Sequence, residues 1–431
     1  MKYVIKNGKV IDPANKVEEL LDVLIADGKI EKIGRDLSMP SAEIIDAKGK
    51  IVAPGLIDIH VHLREPGRED EETIRTGTRA AIRGGYTSIV SMPNTEPAID
   101  SAKAVKVLKA IIKADALTNV FITGAITKER AGKMLADIKG MAEEGALAVS
   151  DDGSSVDDKQ LMSEALREAK KNSILLIAHC EDSSLSPNGV MNKGFISTKM
   201  GLRGIPKASE YERVKRDIEL AKKESARIHI AHVSCKESVD MIRKAKSGGV
   251  HVSAETAPHY FTLTEECCVT YDTNTKMNPP LRAKEDVEAL KRALADGTID
   301  AIATDHAPHT DSEKYVEFDF APFGIIGLET AFSLAVMELV DKKILSWPEL
   351  ILKMSAAPAK ILGIEKGHIK PGAKADLVVI DPDKEYIYKK ETIESKSRNT
   401  PFIDWKLKAK VTHVFVGGIM VMKDEVIAAH Q

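Results

Sequence analysis

Between Gly55 and Pro308 a short apolar run recurs eight times: GLIDIHVHL, TSIVSMPN, NVFITGAI, ALAVSDDG, SILLIAHCE, IHIAHVS, VHVSAETAP and DAIATDHAP. Amphipathic helical stretches separate most of them, among them Thr73–Arg83, Asp157–Lys171, Tyr211–Lys223 and Glu285–Ala295. Strand and helix alternating eight times over about 250 residues predict a (β/α)8 TIM-type barrel, an α/β fold. Most of the runs end in polar residues: His60 and His62, Asn94, Asp151 and Asp152, His179, His232, Glu255, Asp305 and His306. The active sites of such barrels lie where the strands end, so the topology gathers these scattered groups at one rim.

The flanks differ in character. The first fifty residues are β-prone, with Asn7-Gly8 and Asp27-Gly28 both reading as hairpin turns. The segments ADLVVIDPD and THVFVGGIMVMKDEVIA near the other end behave alike. The expectation is one small β-domain assembled from both ends, residues 1–52 and 366–431, around a catalytic barrel at 53–365. A net charge of −3 offers no argument for nucleic acid or membrane binding. The longest apolar stretch, FGIIGLETAFSLAVMELV, is interrupted by Glu329 and Glu338 and reads as a buried helix. MKYVIKNGKV lacks the pattern of a targeting segment. The four cysteines (Cys180, Cys235, Cys267, Cys268) form no CxxC pair and read as reduced thiols of a cytoplasmic protein.

Alternation along Ile57–His62 puts His60 and His62 on one face, with Asp58 sharing it. His179 comes from the fifth run and His232 from the sixth; Asp152 follows the fourth and Asp305 ends the eighth. Each histidine alone is weak evidence, but four at strand ends with two aspartates form a nitrogen and oxygen ligand set suited to Zn2+ in a hydrolytic site. Of the other histidines, His229 lies three residues before His232 and is expected to pack toward the helices. His251 starts its strand, His368 and His413 fall in or near the terminal β-domain, and His259 and His306 are expected to support the rim without ligating.

Together DIHVHLREPG, MPNTEP, SDDG, AHCE, AHVS, KMNPPLR, ATDHAPH and APFG, with NTPFIDWK near the end, resemble the class I dihydroorotases of the amidohydrolase superfamily. The HxH pair marks only the superfamily, whereas DHAPH with MPNT and KMNPPLR is far more specific. The resemblance implies a centre of one or two zinc ions held by His60, His62, Asp152, His179, His232 and Asp305. Many relatives bridge two metals with a carboxylated lysine after the fourth strand. Here the nearest lysines are Lys139 and Lys159, which fits class I, where the aspartate matching Asp152 takes the bridging place. Asp151, its neighbour, should point elsewhere.

The implied reaction is the reversible hydrolysis of (S)-dihydroorotate to N-carbamoyl-L-aspartate, a step of UMP biosynthesis. Asp305 would take a proton from the attacking water and return it to the departing ring nitrogen. Arg64, two residues beyond His62, would grip the substrate carboxylate in its planar fork. By resemblance His62, Asn94 and His309 join it, Asn278 contacts the ring, and the Phe323–Gly324 backbone lines the pocket. The competing readings are a hydantoinase or allantoinase, and a barrel without catalysis serving as scaffold. The absent lysine argues against the first pair, and the full ligand set against the second. Metal count, homo-oligomerisation and association with aspartate transcarbamoylase stay open.

Overall fold

The computed structural model describes residues 1–428. Eight parallel strands form the barrel: Leu56–Val61, Tyr86–Ser91, Asn119–Gly124, Ala148–Val149, Leu175–Ala178, Ile228–Ile230, Val252–Thr256 and Ala301–Ile302. They are the eight apolar runs of the sequence, in order. A parallel bridge between Val61 and His306 closes the ring, and the His62 N–H donates to the His306 carbonyl at 2.9 Å.

Several helices begin where the sequence supplies a cap. Thr73 accepts from the Thr76 N–H ahead of the Ile74–Gly84 helix, and Gly85, at φ 90°, ends it in the left-handed region. Asp158 caps Lys159–Lys171 in the same way. Helix Ala357–Leu362 stoppers the end where the strands begin. Its Ala359 and Leu362 pack on Ile57, Ile59 and Ala301, and its Ile361 on Leu175 and Ile177. The opposite end is left to the polar rim. The apolar stretch after Phe323 becomes the buried helical segment Ala331–Val340, and no described helix is long and apolar enough to cross a membrane.

A separate nine-stranded sheet draws on both ends of the chain. Ile51–Pro54 pairs in parallel with Lys2–Asp12 and antiparallel with Leu377–Ile387, joining the two contributions. Asp27-Gly28 makes the expected hairpin, between Val17–Ala26 and Lys29–Gly34. Asn7-Gly8 does not. Lys2–Asp12 is one strand, and Asn7, at φ 63°, marks a bulge in its register with Val17–Ala26. A Cβ on Gly8 would lie 2.6 Å from Val52, so close approach of the next strand, not a turn, requires glycine there.

Two further expectations are corrected. A bulge in Leu56–Val61 pairs Asp58 with Ile89 but Val61 with Ser91, which resets the alternation. Asp58 is thereby parted from the histidines. Its carboxylate accepts the backbone N–H groups of His60 (3.0 Å) and Thr304 (3.1 Å), and burial raises its pKa to about 7. His229 points into the barrel, not toward the helices. Its Nδ1 meets Ser253 Oγ at 2.8 Å and its Nε2 meets Glu255 Oε2 at 3.2 Å. Alternation counted back from His232 fails because the strand ends at Ile230 and His232 has turned to φ 31°.

Candidate metal centre

At the open rim the structure brings His60, His62, Asp152, His179, His232 and Asp305 into one buried cluster. Asp152 is its hub. Its Oδ1 lies 3.3 Å from His60 Nε2, 3.3 Å from His179 Nδ1 and 3.2 Å from His232 Nε2. Its Oδ2 lies 3.3 Å from His62 Nε2. Asp305 Oδ1 is 3.1 Å from His62 Nε2 and 3.5 Å from His60 Nε2. Asp151 points away, accepting the N–H groups of Ile126 (2.8 Å) and Thr127 (3.0 Å).

The cluster has the chemistry of a cation site. His60 Nε2 is buried with no hydrogen-bond partner, and the ring nitrogens His179 Nδ1 and His232 Nε2 face each other at 2.8 Å. Burial disfavours charge on His60, yet Asp152 and Asp305 hold its pKa well above the usual imidazole range. Burial opposes charge on Asp152 too, but the imidazoles hold its carboxyl well below the usual range. Such donors, gathered away from water, exchange protons for a metal ion. Three of the rim residues leave their strands with positive φ although none is glycine: Arg64 at 62°, His232 at 31° and Asp305 at 48°. Side chains rarely adopt this region, and its cost is borne where geometry matters.

Side-chain oxygens behind the cluster orient the imidazoles. His60 Nδ1–H donates to Glu255 Oε1 at 2.7 Å, His62 Nδ1–H to Asn94 Oδ1 at 2.7 Å, and His179 Nε2 meets Glu181 Oε2 at 3.3 Å. The Asn278 amide donates to the same Glu181 oxygen at 2.9 Å. His306 and His259 stand apart from the six. His306 Nε2 lies 3.2 Å from Glu72 Oε2, and burial lowers the His259 pKa to about 4.

Beside the cluster opens a cavity of about 340 Å³, lined by His62, Arg64, Asn94, Asp152, His179, Asn278, Asp305, His309 and Phe323, among others. Arg64 Nε donates to the Pro308 carbonyl at 3.1 Å and pairs with Glu71 Oε2 at 2.9 Å, while a terminal nitrogen lies 3.4 Å from His309 Nε2. His309 Nδ1 meets Glu71 Oε1 at 2.8 Å. Gly324 does not line the cavity. Its N–H donates to the Lys276 carbonyl at 3.0 Å, and a Cβ there would come within 2.7 Å of the His309 ring.

Sequence reasoning gave no role to Glu255, Glu181, Glu71, Arg130 or Asn399. Glu255 and Glu181 could have been found, since both sit at strand ends in runs already singled out. Arg130 carried no signal; it lines the cavity and its guanidinium donates to the Asp152 carbonyl.

Residues 49–238 match the Dihydro-orotase-like family model and residues 271–421 the Amidohydrolase family model. Proteins named dihydroorotase are similar along the whole length. That of Elusimicrobium minutum is 54% identical, covering 98% of each chain. That of Pelotomaculum thermopropionicum is 52% identical, covering 99% of this chain and 100% of its own. Among solved structures, an L-hydantoinase from Arthrobacter aurescens superposes with TM-score 0.90 at 24% identity, over 100% of this chain and 98% of its own. A D-hydantoinase gives TM-score 0.87 at 26% identity, over 99% and 96%. The fold is thus shared with hydantoinases while the sequence lies far nearer the dihydroorotases, and the chain belongs to the dihydroorotase family of amidohydrolases.

Proposed function

We propose that this chain interconverts dihydroorotate and N-carbamoyl-aspartate by opening and closing the cyclic amide, using the six-residue centre and Arg64. The observation that carries this is their meeting in one cavity, lined both by residues of a buried nitrogen and oxygen donor set and by the Arg64 guanidinium. The donor set, without thiolate, favours zinc. His60, His62, Asp152, His179, His232 and Asp305 would hold it, with the Asp152 carboxylate central among four imidazoles.

When bound, zinc supplies Lewis acidity that makes water nucleophilic at neutral pH and polarises the amide carbonyl. The protein supplies position and protons. The Arg64 fork and His309 hold the ring carboxylate together with Asn94, and Asn278, which lines the same cavity, contacts the ring. The Phe323–Gly324 segment closes the pocket, Gly324 through its packing on His309. Asp305 takes the proton of the attacking water as the new C–O bond forms. It then delivers that proton to the ring nitrogen as the C–N bond breaks, which generates the ureido group.

Residues 53–365 are taken as the catalytic barrel, with 1–52 and 366–431 as its β-domain; 429–431 lie outside the described residues. The described cysteines are all free thiols, which supports a cytoplasmic setting. Homo-oligomerisation and association with aspartate transcarbamoylase are questions for the purified protein. The deciding experiment is dihydroorotate hydrolysis with and without a chelator, beside hydantoin and allantoin. Activity on dihydroorotate that is lost on chelation and restored by Zn2+ is expected. Full activity in a rigorously metal-free sample would end this reading, and preference for hydantoin would replace it with the hydantoinase one.

A further inference from the structure

The chain beyond the last barrel helix does more than complete the β-sheet. Between strands Leu377–Ile387 and Lys406–Val416 it leaves the sheet and runs along the barrel rim. Ser395 Oγ donates to Glu72, and Ser397 Oγ donates to the Glu71 carbonyl at 2.6 Å. Asn399 then enters the gap between two loops of the cavity wall. It is 2% exposed. Its Oδ1 accepts the His309 N–H at 3.0 Å, and its Nδ2 donates to the carbonyls of Ala307 (2.9 Å) and Gly324 (3.0 Å). Its own carbonyl accepts the Ile326 N–H at 3.0 Å. The side chain thus spends both amide hydrogens and an oxygen lone pair on two segments that also meet through the Ala307 N–H and the Ile325 carbonyl, 3.0 Å apart, and through His309 Nε2 and the Phe323 carbonyl, 2.9 Å apart.

We infer that Asn399 is a positioning residue for the carboxylate end of the substrate. It fixes the spacing between His309 and the Phe323–Gly324 turn, and through His309 the separation from Arg64. This rests on the reading of Arg64 and His309 as the carboxylate site. Geometry favours a role in binding over one in metal capture, since all three side-chain bonds go to the backbone of these two loops and none to the six clustered residues. Asn399 makes no hydrogen bond to Asp305 or Asp152. Loosening it should therefore impair recognition of the carboxylate while leaving metal content and the proton-transfer step in place.

The test compares wild type, Asn399→Ala and the nearly isosteric Asn399→Asp. For each, zinc content, thermal midpoint, and kcat and KM for dihydroorotate are measured, with the inhibition constant of dihydrouracil, the same ring without the carboxylate. Asp keeps the acceptor for the His309 N–H but sets a carboxylate against two carbonyls, so it should do at least as badly as Ala. The expected result is a KM for dihydroorotate raised about tenfold or more, about 1.4 kcal/mol, with kcat within threefold or so, full zinc content, and dihydrouracil binding unchanged. A double-mutant cycle with His309→Ala should show non-additive effects on KM. The inference is overturned if Asn399→Asp matches wild type, if both rings weaken equally, if the two sites add independently, or if neither variant folds, which would make Asn399 a determinant of folding only. A wild-type protein that does not hydrolyse dihydroorotate would refute the proposed function instead.

Discussion

His60 Nδ1 and Glu255 Oε1 lie 2.7 Å apart, both fully buried, and the same carboxylate reaches His229 through its other oxygen. Burial alone would raise the Glu255 pKa; the bonds to His229 and His60 outweigh it and bring it to about 2. An ionised carboxylate at Nδ1 fixes the His60 tautomer with the proton on that nitrogen, leaving Nε2 as a lone-pair donor into the cluster. Removing such a partner typically costs about 10–100-fold in metal affinity. Glu255→Gln should show a loss of that order when zinc retention is measured against graded chelator. Wild-type retention would mean that the imidazole is oriented by other contacts.

Asp305 makes a separate prediction. It adjoins two imidazoles of the cluster and lines the cavity, so it can pass a proton between water and ring nitrogen. Asp305→Asn keeps the shape and removes the base. General acid–base catalysis contributes about 10²–10⁴ in rate, so kcat should fall by at least that much. A variant retaining more than half of wild-type turnover, measured at matched zinc content, would rule out the proton role.

The barrel and the six clustered residues were legible in the sequence because each strand states its own face and its own end. The errors fell where the backbone departs from the regular strand. The bulge that separates Asp58 from His60, and the φ of 31° at His232 that misled the placement of His229, leave no trace in a pattern of period two. Glu71 and Asn399 were invisible for another reason. Their partners lie 238 and 90 residues away in His309, and no local rule links such positions. Gly324 was legible as part of a motif, but its conformation ties it to the packing of His309 and not to the cavity surface.

Substrate choice should depend on Arg64. Its Nε is occupied by Glu71 and the Pro308 carbonyl, which leaves the terminal nitrogens for a ligand carboxylate. A hydrogen bond to a charged group contributes roughly 1.5–3 kcal/mol, and two of them amount to about two orders of magnitude or more in kcat/KM. Wild type should therefore prefer dihydroorotate strongly over dihydrouracil, and Arg64→Met should collapse that preference, mainly by harming dihydroorotate. Arg68, 3.2 Å from Glu71, still compensates that carboxylate in the variant. An unchanged preference would show that Arg64 does not bind the carboxylate.

The last prediction concerns stability and pH, and it rests on Glu329. One carboxylate oxygen accepts the N–H groups of Glu394 (2.9 Å) and Ser395 (3.1 Å), anchoring the start of the segment that carries Asn399. The other oxygen is buried with no partner. Burial, reinforced by Glu394, raises the pKa from 4.5 to about 7. The folded chain therefore keeps a proton that the unfolded chain releases. The stability this contributes is fully present below about pH 4.5 and is lost as pH rises through about 7. The gap corresponds to about 3 kcal/mol. Glu329→Gln imitates the protonated form at every pH. Denaturant midpoints should coincide for the two proteins near pH 4.5 and diverge toward pH 8, with the variant the more stable by up to about 3 kcal/mol. If the variant is instead the less stable at pH 8, the carboxylate is ionised in the fold and held by nearby Arg83, and the assignment of a buried neutral Glu329 is wrong.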